Sequence, residues 1–116
     1  MHVTRIAEAP EYQAPGHHSM QCLRLQGMEA GPSSAMWMAI STIAPGGGIT
    51  ESSSPLEKIY VVLEGCIEMT SGGETVQLDT WDSCRIAPGA GRAVVNKSGA
   101  PATILLAMEN ARPSSP

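Results

Sequence analysis

The chain has 116 residues, 42% of them apolar, enough for one domain with its own core and too apolar for a disordered segment. Its net charge of −4 argues against a nucleic-acid surface. No run reaches the length of a membrane span, and residues 1–20 lack the apolar block of a secretory signal, so a cytoplasmic protein with no membrane partner is expected.

Phe is absent, so the core is expected to be aliphatic, with some of the seven Met filling irregular gaps. Cys22, Cys66 and Cys84 are odd in number and far apart. They read as free thiols in a reducing compartment, not as a disulfide framework or a zinc site.

Residues 1–19 show no sustained period, and Pro10, Pro15 and Gly16 interrupt any helix. They read as an extended arm lying along the domain or crossing to a second subunit. His17 and His18 within it read as a solvent-facing loop, because adjacent residues on an extended arm point opposite ways. Residues 20–109 form the domain proper. Met20–Leu25 is a strand with Met20, Cys22 and Arg24 on one face. Ala35–Ile43 is a strand apolar on both faces, ended by Pro45 and three glycines. Ile59–Leu63 is the plainest strand, rich in β-branched residues and bounded by glycine loops. Cys66–Ser71 and Glu74–Leu78 flank the turn signal Gly72-Gly73. Cys84–Ala87 and Arg92–Asn96 flank Pro88-Gly89, and Ala102–Met108 is the last apolar strand. Residues 110–116 read as a disordered tail. No segment of helical length carries a 3.6-residue period. Many short strands at close spacing imply an all-β sandwich or barrel.

Two stretches carry more than strand signal. Residues 46–65, GGGITESSSPLEKIYVVLEG, resemble the first motif of the cupin family: Gly, five residues, His-x-His, three or four residues, Glu, six residues, Gly. The spacing fits from Gly46 to Gly65 without a gap. The His positions hold Ser52 and Ser54, and the Glu position holds Lys58. Residues 81–96, WDSCRIAPGAGRAVVN, resemble the second motif, matching at Gly89 and Asn96, with Arg92 at its His position. The likeness covers roughly residues 35–108. It implies a double-stranded β-helix, the jelly-roll barrel, and often a homodimer.

With the register that the resemblance implies, Lys58, Tyr60 and Val62 point into the barrel. Ile59, Val61 and Leu63 point out and need a cover, for which a second subunit is expected. Serines are weak metal ligands, and protonated Lys and Arg offer no lone pair. No metal or other cofactor is therefore expected. Two readings of Lys58 stay open. It pairs with Glu51, Glu57 or another mouth carboxylate, or it joins Arg92 as a cation pair that attracts a small organic anion. In the second reading Lys58, Arg92, Tyr60 and Glu51 are candidate catalytic residues, and Ser52, Ser54, Lys58, Arg92 and Trp37 candidate ligand-binding ones. Repulsion and burial would lower the pKa of Lys58 towards a neutral amine able to act as a base. The expected function is metal-independent binding or conversion of a small carboxylate or carbonyl compound, as isomerase, lyase or hydrolase. The alternative is a non-catalytic binding or sensing protein.

Overall fold

A computed structural model describes residues 1–111; most of the sequence-predicted tail lies outside the described residues. Nine strands follow in order: β1 Glu11–Tyr12, β2 His17–Gln26, β3 Met36–Ser53, β4 Lys58–Glu64, β5 Ile67–Ser71, β6 Glu74–Leu78, β7 Ser83–Ile86, β8 Gly91–Val95 and β9 Ala102–Glu109. Short 3-10 turns at Ile6–Glu8 and Met28–Ala30 are the only helical pieces among the described residues. No helix there is long and apolar enough to cross a membrane.

The strands run antiparallel in the order β6-β5-β8-β3-β9-β4-β7, with β2 also on β3 and β1 on β2. The result is an all-β, nearly closed jelly-roll barrel. Its interior is aliphatic, as a chain without Phe requires: Ile43, Ile49, Val62, Ile67, Ile86, Val94 and Ile104 are at most 3% exposed. Burying each such side chain contributes roughly 1.5–3 kcal/mol. Tyr60, at 1%, is the largest side chain so enclosed.

β3 differs from the sequence expectation. It does not stop at Pro45 but continues through the glycines to Ser53. The corner there is built by backbone approach. A Cβ on Gly48 would stand 2.0 Å from the carbonyl oxygen of Val94, and one on Gly47 2.6 Å from that of Ser19. Only glycine lets three chains pass so closely. Asn96, fully buried, staples the bend. Its Nδ2 donates to the carbonyls of Ile43 (3.0 Å) and Ala100 (2.8 Å), and its backbone exchanges bonds with Gly46 and Gly47. At the opposite end Gly72 and Gly73, both at positive φ, close the β5–β6 hairpin as their sequence signal requires.

The amino-terminal segment lies along the barrel of its own chain, β1 on β2 and β2 on β3. The strand begins at His17, not Met20, and pairs with β3 as far as Gln26↔Met38. The register slips between His18 and Met20, with Ser19 at positive φ.

Candidate functional site

Antiparallel pairing places facing residues on one side of the sheet. One row runs Trp37, Met108, Lys58 across β3, β9 and β4; the next runs Arg24, Ala39, Leu106, Tyr60. A third joins Ser52 to Arg92. Except for Ala39 and Tyr60, which are packed beneath, these residues line a cavity of about 460 Å³ together with Tyr12, His17 and Glu51.

Lys58 is 4% exposed and Arg92 6%. Arg92 Nε donates to the Tyr60 hydroxyl and its Nη1 to Ser52 Oγ, each at 2.8 Å. Lys58 Nζ donates to Ser54 Oγ at 3.0 Å. Neither cation meets a carboxylate: the ion pairs among the described residues are Arg24–Glu29, Arg85–Glu57 and Lys97–Glu68. The pairing of Lys58 with Glu51 or Glu57 that the sequence allows is absent. Glu57 precedes Lys58 and turns away to Arg85. Glu51 stands exposed at the mouth, its carboxylate against Gly91. Burial, and then the charge of Arg92, hold the Lys58 ammonium below the ordinary lysine range. Burial raises the Tyr60 phenol against the opposing pull of Arg92. Two buried charges supported only by hydroxyls are costly unless something else answers them.

Residues of the amino-terminal segment complete the wall. Arg24 lies over the Tyr12 ring, 3.4 Å from its centroid, and 4.3 Å from that of Trp37. The two rings meet edge-on at 86°. Arg24 Nε donates to Glu29 at 3.0 Å, while its Nη1 is enclosed without a partner. Burial pushes the Tyr12 phenol up to about 12. His17, expected in a solvent-facing loop, instead lines the cavity, half-buried, with Nδ1 3.0 Å from the Pro15 carbonyl oxygen. Burial and Arg92 lower its pKa despite that bond. Trp37, whose side the sequence left open, also lines the cavity.

The barrel thus unites all the sequence-predicted site residues: Ser52, Ser54 and Glu51 at the mouth, Lys58 and Arg92 inside, Trp37 on the wall and Tyr60 beneath Arg92. Tyr12, His17 and Arg24 were missed. The one usable signal was Arg24 sharing a strand face with Met20 and Cys22, an odd place for a cation unless it is paired or functional.

The fold invites comparison with metal-bearing barrels, but the donor set does not suit one. The four ligand positions hold two hydroxyls and two cations, already bonded to one another or to neighbours. Among the described residues no three His, Cys, Asp or Glu side chains cluster to hold an ion.

A family model described as Cupin domain matches residues 39–108. The chain belongs to the cupin family. A Mycobacterium tuberculosis protein named beta-D-galactosidase is 37% identical over 106 residues, covering 91% of each chain. Among solved cupin-like structures, the polyketide cyclase RemF of Streptomyces resistomycificus aligns at TM-score 0.83 with 18% identity, over 98% of this chain and 82% of its own. A predicted oxalate decarboxylase of Thermotoga maritima aligns at 0.78 with 19% identity, over 96% and 100%. At such identities the two structures speak for the fold alone. Tyr12, His17, Arg24 and Trp37 lie before the span 39–108 matched by the cupin model.

Proposed function

We propose that this cupin binds a small organic anion, a carboxylate or a carbonyl compound carrying one, in the barrel and converts it without a metal, as isomerase, lyase or hydrolase. The observation that carries the reading is the buried pair Lys58 and Arg92, which has hydroxyl partners but no carboxylate among the described residues. A ligand carboxylate would supply the missing charge and accept from the guanidinium fork. Lys58, Arg92, Tyr60 and Glu51 are the groups for chemistry; Ser52, Ser54 and Trp37 position the ligand. Three unpaired cysteines suit a reducing compartment, and we assign the protein to the cytoplasm. Calorimetric titration with a panel of small carboxylates and their amides is the test. Arg92→Ala should weaken carboxylate binding by about 1.5–3 kcal/mol, the worth of a hydrogen bond to a charged group. Equal affinity in wild type and variant, or equal affinity for acid and amide, would refute the reading. Binding without turnover of any ligand would leave the non-catalytic alternative, a sensing or carrier cupin.

A second reading draws on the relative named beta-D-galactosidase: hydrolysis of a galactoside. Glycoside hydrolysis ordinarily needs two carboxyl groups flanking the bond. Glu51 is the one carboxylate lining the cavity among the described residues. Turnover of a chromogenic β-galactoside that disappears in Glu51→Gln would favour this reading over the first.

A further inference from the structure

His17 stands apart from the network that holds Lys58 and Arg92, yet the barrel fixes its place. It opens β2 and pairs with Ile49, which pairs in turn with Val94. Both partners are core residues, 3% exposed, so their shared face is the inner one. Arg92 lies two residues before Val94 on β8 and therefore on the same face. β2 and β8 flank β3, so two strand spacings, roughly 10 Å, separate their backbones. Both side chains line the same cavity.

The tautomer is fixed as well. Nδ1 faces the Pro15 carbonyl oxygen, which can only accept, so Nδ1 carries the hydrogen. In the neutral ring Nε2 then holds the lone pair, and it has no protein partner among the described residues. Burial and the nearby Arg92 favour that neutral ring at pH 7. The charged groups around the cavity are Arg92, Lys58, Arg24 and Glu51, with His18 next in sequence.

We propose that His17 is the general base of a proton transfer at carbon, its Nε2 taking the hydrogen beside the carbonyl of a small 2-oxo acid whose carboxylate Arg92 and Lys58 hold. The inference rests on the anion-binding reading above and gives it a reaction class. The C–H electron pair becomes the C=C bond of an enolate, the carbonyl oxygen takes the negative charge, and His17 becomes imidazolium. Arg92 and Lys58 offset the charge that develops. Return of a proton to the same carbon regenerates the acid. Departure of a leaving group with its electron pair from the next carbon completes an elimination.

The test uses the full chain and 2-oxobutanoate in deuterium oxide. Calorimetry reads binding, and proton NMR reads loss of the C3 hydrogens. Wild type should bind and exchange. His17→Gln keeps a polar side chain without a base; it should bind within a few-fold of wild type and exchange at least about 100-fold more slowly, the lower range for a general base. Unchanged exchange in His17→Gln, or a wild type that binds without exchanging, overturns the assignment of the base and leaves anion binding standing. A wild type that binds neither 2-oxobutanoate nor any other acid removes both. A second measurement needs no variant. Nitrogen-15 NMR of the imidazoles at pH 7 should show His17 neutral with Nδ1 protonated, and the other tautomer or an imidazolium overturns the proposal.

Discussion

Replacing Lys58 by Met removes a buried charge and keeps a long, unbranched side chain of similar reach. The bond from Nζ to Ser54 is lost, about 1.5–3 kcal/mol for a charged donor. Ser54 is not orphaned, because the Leu56 backbone N–H still donates to its oxygen at 3.2 Å. Against that loss stands the cost of holding an ammonium, 4% exposed, beside Arg92. Burying an ion costs several kcal/mol even after relaxation. Lys58→Met should therefore stabilise the fold by about 1–3 kcal/mol, raising Tm by about 4–12 °C at roughly 4 °C per kcal/mol for a chain of this size. Anion binding should fall in the same variant. The pH dependence has a definite sign. The folded-state pKa of Lys58 is lowered, so between it and the ordinary value of 10.5 the unfolded chain binds more protons. Wild-type stability should rise through that window, with the full penalty present below it, and the two melting curves should converge as pH approaches 10.5. Thermal melts followed by circular dichroism across this range provide the measurement. A Met variant melting below wild type at pH 7 would show that Lys58 supports the fold, and the argument for an unanswered charge would fail.

Arg92→Ala, unlike Lys58→Met, should lower stability, by about 1–3 kcal/mol in denaturant titration, because the buried Tyr60 hydroxyl loses its donor; an unchanged denaturation midpoint would show that this bond adds nothing to the fold. Gly48→Ala should prevent folding or cost more than about 3 kcal/mol, since its Cβ would meet the Val94 backbone rather than a movable side chain; a soluble variant with wild-type Tm would contradict the corner geometry. Light scattering should give twice the 12.1 kDa of one chain, because Ile59 is 43% exposed and Val61 and Leu63 are only half-buried in a single barrel; a monomer at micromolar concentration would show that the row tolerates water.

The parity of β4 was legible because a strand has period two: once Lys58 was set inward, Tyr60 and Val62 followed, and Glu57 was freed to meet Arg85. The Gly72-Gly73 hairpin was legible because few dipeptides accept two positive φ angles. Trp37 was not. Its face depends on how β3 bends through Pro45 and the glycines, and no local period crosses that corner. His17 and Arg24 were hidden for a related reason. Their orientation is set by pairing with residues 15 to 32 positions away and by a slip at Ser19, so a local reading of the segment could only say that it was extended.

The place of β9 in the sheet has a consequence for how the protein is made. It is the last strand in sequence, yet it lies between β3 and β4, bonded to both along most of its length. Without Ala102–Glu109 the described strands fall into two unequal groups, β6-β5-β8-β3 with β2 and β1, and the pair β4-β7, whose unpaired edges face each other across the place of β9. Closing the sheet must wait for β9, and a chain truncated within the Lys97–Pro101 turn would present unpaired strand edges instead of a smaller stable domain.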